Sequence, residues 1–365
     1  MPIIVGLKKM KTVWRSIAER VRGFSWKSQN VAGVDVGSRL LKAVTLQSGC
    51  ASPILKSVVI EALPFKSNPN SQTDLDQDRH LVQFLRNQLS PSPRAVGITV
   101  SNPYVLLKRL ALPYMSEKDL RDHLALELDR YIPLDVHGAV WDVYRHKNSD
   151  ALDHERHQAI LVVAKKELIE ARMRQFEGQG MHVRFVDVDA FSLVNMVAYN
   201  YDHEGTWLIV HIGPTGILSV IMEEGYPVHM HQVSYEVEWY GDLLDGVQLA
   251  LETAGDGFKL GASETLLLEQ FFNETIKQVT ETIKHASEGT DTGMVRGVFL
   301  SGGYSMLEGL QSRLADSLDV TVTRVNPFQK IKVPQEMQQD SRFQKALPLF
   351  GVAVGAALRG AIPHD

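Results

Sequence analysis

Two segments more than 260 residues apart constrain this chain most, because each halts an apolar strand at small residues beside an acid or a hydroxyl. The first is Gly33-Val34-Asp35-Val36-Gly37-Ser38, after which Lys42 stands among alternating apolar residues, the pattern of a β-hairpin. The second is Val298-Phe299-Leu300-Ser301-Gly302-Gly303, which reads as a strand entering a helix, with Ser305 and Glu308 at capping-box spacing. Glycines let backbone N–H donors approach a phosphate closely, and a carboxylate can hold a hydrated cation. The two segments therefore read as opposite walls of one nucleotide clamp. A third segment, from Trp207 through His211, Gly213, Pro214, Thr215 and Gly216 to Ile221, repeats the strand–glycine turn–strand logic of residues 31–46. That recurrence predicts an internally duplicated, two-lobed α/β chain.

The composition fits this frame. A chain of 365 residues can hold more than one domain, and 44% apolar with 22% charged residues is ordinary for a folded protein. One cysteine, Cys50, excludes an internal disulfide and a cysteine-built metal site, and fits a reducing compartment. No apolar run approaches the roughly 20 residues that span a bilayer, and no signal-peptide pattern opens the sequence, so a cytoplasmic location is expected. The formal charge of −5 is uneven: residues 1–27 carry seven Lys or Arg against Glu19, a net +6, which leaves −11 for the rest. In that basic stretch Met10, Trp14, Ile17, Val21 and Phe24 fall on one helical face. Such a face either contacts an anionic membrane surface or docks on its own protein. Outside it there is no basic stripe, so nucleic-acid binding is not expected.

The remaining chain reads as strands and helices in alternation. After the first hairpin comes a third strand near residues 53–63, a polar loop at 66–78, and a helix burying Leu81, Phe84, Leu85 and Leu89. Strands at 95–100 and 104–112 follow, broken at Asn102-Pro103. Ser116 and Asp119 frame the start of a helix that buries Leu120, Leu124, Leu128 and Tyr131 and stops at Pro133. Strands at 140–144 and 159–164, a helix at 166–178 and a strand at 183–188 complete the first half. The second half, from Thr206, adds a long helix at 263–285, the Gly302-Gly303 turn, a helix carrying Leu307, Leu310, Leu314 and Leu318, and a strand at 320–325. The last helix, 347–358, is nearly all apolar and is expected to lie buried against the first half.

The order of these motifs resembles the actin-like ATPase superfamily, and within it the PilM family of type IV pilus assembly proteins, relatives of the cell-division protein FtsA. Leu112-Pro113 with Leu126-Glu127-Leu128-Asp129-Arg130-Tyr131-Ile132-Pro133 is similar to that family's L-P…E-A-D-x-Y-I-P element. Phe185-Val186-Asp187-Val188-Asp189-Ala190-Phe191 is similar to its turn into a helix, and the Gly302-Gly303 segment with Val325-Asn326-Pro327-Phe328 to its adenosine motif and closing N-P-F. The resemblance covers residues 30–360 and implies an actin-like two-lobed fold with duplicated mixed sheets and an inserted subdomain. The expected domains are an extension at 1–29, a first lobe of 30–103, 183–205 and 345–360, an insert at 104–182, and a second lobe at 206–344.

The resemblance also implies roles. Asp35 would orient Mg²⁺ beside the phosphates of ATP, with donors from Gly37 and Ser38 and from Gly213 and Thr215 of the second hairpin. Lys42 would add charge to the phosphates, or else stand as a solvated edge residue. Gly302 and Gly303 would let the adenosine and α-phosphate lie against backbone at a helix N-terminus, or else serve to pack a helix on a strand. The implied partner is a PilN-like bitopic membrane protein whose cytoplasmic tail sits in a groove between the first lobe and the insert. Leu126, Tyr131, Ile132 and Pro133 would line that groove or belong to a core. The protein would then be a cytoplasmic scaffold held at the inner membrane, with self-association left open.

One departure qualifies this picture. The second hairpin has His211 where the family pattern has Asp, and Ile217 and Leu218 where it has hydroxyl residues. A neutral imidazole is a poor ligand for Mg²⁺, and aliphatic side chains donate nothing to a γ-phosphate. Weak or absent hydrolysis is therefore expected, against the alternative of an active Mg-ATPase that opens and closes its lobes. The pairs His154/His157 and His229/His231 have no converging Cys or carboxylate set, so no transition-metal site is expected.

Overall fold

The structure, a computed structural model, describes residues 30–48, 52–63, 82–89, 91–93, 95–101, 104–133, 135–145, 156–234, 261–289 and 294–362. The basic stretch 1–27, Cys50, the loop at 66–78, Leu81, Asn102-Pro103 and His154 lie outside the described residues.

Strands β1 (Asn30–Val36), β2 (Leu40–Gln47), β3 (Ile54–Ala62), β4 (Ala95–Val100) and β8 (Val183–Val188) form a five-stranded sheet in the order β3-β2-β1-β4-β8. The second half builds the same plan from β9 (Thr206–Gly213), β10 (Gly216–Glu223), β11 (Tyr226–Ser234), β12 (Val295–Ser301) and β13 (Thr321–Arg324), in the order β11-β10-β9-β12-β13. In each sheet an antiparallel meander of three strands continues into parallel pairs. The duplication suggested by the two glycine hairpins is thus a duplication of whole sheets.

Between β4 and β8 the chain inserts an antiparallel sheet, ordered β5-β7-β6 from β5 (Val105–Pro113), β6 (Ala139–Arg145) and β7 (Arg156–Lys165). Helices α1 (Glu117–Tyr131) and α2 (Lys166–Glu177) belong to this insert. The Ser116 side chain accepts the Asp119 N–H and so caps α1, and Leu120, Leu124 and Leu128 recur at intervals of four on its buried face. The helix ends where Ile132 turns extended before Pro133, as the residue preceding a proline is driven to do.

The two large sheets meet over a pair of helices, α3 (Asp189–Asn200) and the last helix, Gly351–Ala361, here α8, with α4 (Ala262–Gly289), α5 (Leu310–Leu318), α6 (Gln335–Gln339) and α7 (Ser341–Ala346) between them in sequence. Every residue of α8 is buried, and it lies on β1 and against α3, as its apolar sequence predicts. Small residues make this possible: a Cβ on Gly355 would land on the Ser192 backbone carbonyl, and a Cβ on Gly33 would strike Ala353 and Ala357 of α8. Among the described residues no helix is long and apolar enough to cross a membrane.

Gly355→Ala should therefore destabilise the fold by at least about 2 kcal/mol, because the clash is with backbone that cannot rotate away. Denaturant unfolding measures this, and an unchanged midpoint would show that the helices can separate without penalty.

Candidate functional site: a charged cleft and a crevice beside it

The strand register places Asp35 opposite Lys42 across β1 and β2, and the two side chains form an ion pair of 2.6 Å with little solvent access to either. Lys42 is therefore not a solvated edge residue. A buried charge persists only with a partner, so each of the two groups requires the other. A Cβ on Gly37 would lie 3.6 Å from the Lys42 ammonium and 3.9 Å from Asp35 Oδ1, so the missing side chain keeps the space beside both charges clear. The Gly37 N–H itself closes the turn by donating to Leu40 O at 3.0 Å, so it is not the free anion donor expected from the sequence. Ser38, in the same turn, is half-buried.

A second carboxylate, Asp189, opens α3 beside this pair. Its carboxyl takes hydrogen bonds from Thr99 and Ser101, while Oδ1 is enclosed and has no partner. Burial pushes its pKa up to about 7, the Asp35 carboxylate adds to the rise, and the Thr99 and Ser101 hydrogen bonds and the Lys42 ammonium oppose it. The residue quartet Asp35, Thr99, Ser101 and Asp189 thus occupies the C-terminal ends of three adjacent parallel strands, where ligands of open α/β sheets bind.

From the second lobe comes His211. Its Nδ1 lies 3.3 Å from Ser301 Oγ, which itself donates to Pro348 O at 3.2 Å. With that hydroxyl proton committed, Nδ1 is the donor and Nε2 carries the lone pair. Burial pushes the imidazole pKa down to about 4, Lys42 adds to the depression, and Asp35 opposes it. His211 is thus neutral at pH 7 and close enough to feel both charges of the first hairpin. Through His211 and its register partner Ser301, the Gly302 turn comes within electrostatic range of the first hairpin.

The remaining expected residues divide. Gly302 has φ 91° and packs so closely on Ile212 that no side chain fits, while its N–H donates to Pro348 O at 3.0 Å. Its glycine is required for packing. Gly303 starts only a single 3₁₀ turn, Gly303–Met306; Gly309, at φ 86°, breaks the chain before α5 begins at Leu310. The expected capping box does not form, because Ser305 Oγ donates to Gly302 O inside that turn and Glu308 is exposed. Gly213 has open space where a Cβ would stand, and Thr215 is exposed. Ile217 and Leu218 are buried in hydrophobic cores and offer nothing polar.

A metal at this site would find two carboxylates, Asp35 and Asp189, and no group of three or more metal-binding side chains converges among the described residues. The unpartnered Asp189 oxygen and the all-oxygen donor set are of the kind a hard divalent cation such as Mg²⁺ takes.

A separate crevice lies between the first-lobe sheet and the insert. It measures about 430 Å³ with its opening to solvent, and its walls are aliphatic: Val100, Val105, Val140, Val162, Ile169 and Val186 among them. Two buried acids border it. Asp187 is satisfied by Arg359 at 2.9 Å and Ser192 at 3.1 Å. Asp142 pairs through Oδ1 with Arg121 at 2.7 Å, but its Oδ2 is buried without a partner. Burial raises the Asp142 pKa against the pull of Arg121. Leu126, Tyr131, Ile132 and Pro133 do not line this crevice. Leu126 is 84% exposed, Pro133 is exposed, and Ile132 is buried in the insert core. Tyr131 is half-buried under Lys108, whose Nζ is 5.8 Å from the ring centroid.

Twin sheets joined by a helix pair, with a cleft at their facing strand ends and an insert in the first half, define the actin-like fold. Residues 33–361 match the family described as "Type IV pilus assembly protein PilM", and the chain belongs to that family. A solved PilM–PilN type IV pilus biogenesis complex aligns with a TM-score of 0.73 at 22% identity, covering 91% of this chain and 99% of that one. The ethanolamine utilization protein EutJ from Carboxydothermus hydrogenoformans aligns with a TM-score of 0.50 at 13% identity, covering 91% and 90%.

Sequence reasoning did not single out Asp142, Asp189 or Arg359 as site residues. Asp187 and Asp189 were visible in Val186-Asp187-Val188-Asp189, yet only the strand-to-helix switch after Val188 sends them to different sites.

Acidification should separate the two titrating groups of the cleft. The unfolded chain protonates His211 near pH 6.5 and the folded one only near 4, so this residue removes stability as pH falls through that window. Asp189 acts in the opposite sense, since its raised pKa lets the folded state take up the proton first. His211→Gln should therefore gain stability relative to the parent between pH 7 and pH 5, by on the order of 1 kcal/mol. Paired thermal melts across that range test this, and a difference independent of pH would refute it.

Proposed function

We propose that this protein is a cytoplasmic scaffold of a type IV pilus assembly platform, which captures the short N-terminal tail of a PilN-like membrane protein in the crevice between first lobe and insert. The observation that carries this reading is the crevice itself: an aliphatic slot between first lobe and insert with the buried acid Asp142 in its lining. A slot of this kind takes an aliphatic side chain of an extended peptide. The family match and the likeness to a PilM–PilN complex support the choice of partner. Attachment to the inner membrane would come through that partner, with the basic residues 1–27 as a second contact.

The cleft supports nucleotide retention with little or no turnover. Lys42 supplies the charge for a phosphate, and Asp35 and Asp189 would hold a hydrated Mg²⁺, which would neutralise phosphate charge. The second lobe contributes a neutral imidazole and buried aliphatics in place of oxygen ligands, so transition-state charge gains little from that side. Steady ATP turnover by the unaltered protein would favour the ATPase alternative.

Val162→Trp should fill the crevice and weaken binding of a synthetic PilN-like tail peptide at least about tenfold, whereas Leu126→Glu should leave it intact. Calorimetric titration distinguishes them. Loss in Leu126→Glu with retention in Val162→Trp would move the docking face to the exposed end of α1.

A further inference from the structure

We propose that the end of the first sheet opposite the cleft is a lipid-contact face, which lays exposed basic side chains of the folded lobe on an anionic membrane surface. This carries into the folded chain the contact assigned above to residues 1–27, and it requires neither the crevice nor its peptide.

The strand register fixes where that face lies. Asn30 pairs with Gln47, Gln47 with Ile54, and Ile54 with Lys332, which belongs to the segment returning from β13 to α8. Strands sit about 4.8 Å apart, so Lys332 stands roughly 14 Å from Asn30 in one row across the sheet. The chain enters β1 at Asn30, so the net +6 of residues 1–27 joins the fold at this row. Asp35, Thr99 and Asp189 lie at the other end of the same sheet.

The returning segment is pinned through its backbone. Lys330 N–H donates to Asn200 Oδ1 at 3.0 Å, Lys332 N–H donates to Pro53 O at 3.0 Å, and Lys332 O accepts from Leu55 N–H at 2.9 Å. Ile331 is buried between the two lysines, so both of their side chains turn outward, and both are exposed. Lys56 follows Leu55 at the bulge of β3. Arg342 and Lys345, also exposed, flank Phe343, whose ring centroid is 5.4 Å from that of Phe328 in the same segment. Among the described residues none of these five cations forms an ion pair. Residues 326–346 carry four Lys or Arg against Glu336 and Asp340, and Asp340 is occupied in capping α7. In a chain of net −5, this end of the molecule reverses the sign.

A lipid surface fits this face better than another polyanion does. Residues 1–27 set their basic groups beside Met10, Trp14, Ile17, Val21 and Phe24, a mixture suited to the boundary between headgroups and acyl chains. A nucleic acid or an acidic protein surface would leave those apolar groups unmatched.

The test is flotation of the full chain with vesicles of phosphatidylglycerol and phosphatidylcholine, against vesicles of phosphatidylcholine alone. Binding is expected to the anionic vesicles only, and it should fall as salt rises from about 0.05 to about 0.5 M. Combining Lys56→Glu, Lys330→Glu and Lys332→Glu should weaken partitioning at least about tenfold. Combining Lys118→Glu, Lys166→Glu and Lys277→Glu, on α1, α2 and α4, should leave it within about twofold of the parent. Equal loss in both sets, or no loss in the first, overturns the proposal, as does absence of parental binding. Should the first set fail to fold, amine labelling of the parent decides: anionic vesicles must protect Lys330 and Lys332 more than Lys118, and uniform labelling overturns the proposal. Duplex DNA that protects the same lysines equally well makes this a general polyanion surface and overturns it too. No tail peptide enters these measurements, so their failure leaves the groove reading standing, and a peptide that does not bind leaves this face standing.

Discussion

The contact between α3 and α8 is the constraint on which the rest of this structure depends. Both helices are buried, and they approach until only glycine fits at position 355. Gly33 allows the same closeness between α8 and β1. Polypeptide backbones can come this near only where side chains are absent, and the gain is dense packing of one apolar core shared by the first sheet, the insert and the second sheet. That core brings into one cleft groups that lie in segments more than 260 residues apart in the chain.

Within the cleft, electrostatics decides what each residue can be. Asp35 and Lys42 are held as a buried pair, and Asp189 stands beside them with one oxygen unmatched. His211 is kept neutral by burial and by the ammonium across from it. The outcome is lopsided. The first lobe supplies charge of both signs, and the second supplies shape with almost no charge. This one-sided distribution of charge is what the proposal of retention without turnover rests on.

Legibility in the sequence followed the range of the forces involved. The two glycine hairpins, the Ser116 cap, the stop before Pro133 and the buried last helix were all readable, because each rests on neighbouring residues or on a short period. The capping box at Ser305 and Glu308 had the right spacing and yet did not form. Gly309 adopts a left-handed conformation that no spacing rule anticipates, and Ser305 found a nearer acceptor in Gly302 O. Gly302 looked like a ligand-binding glycine, but its N–H is taken by Pro348 O, 46 residues along the chain and reached only after folding. Leu126, Tyr131, Ile132 and Pro133 form one motif in sequence. Helix geometry nonetheless scatters them between solvent and the insert core.

The sequence by itself determined the duplicated hairpins, the apolar closing helix and the imidazole of the second hairpin, since these are properties of residue type and local period. Tertiary structure alone decided that Lys42 pairs with Asp35, that Asp187 and Asp189 stand at different sites, and that Asp142, with one oxygen unmatched, lies in the lining of a crevice. The physical reason is that charge pairing and desolvation depend on distances through space, and those distances are fixed only when the sheets close over the helix pair.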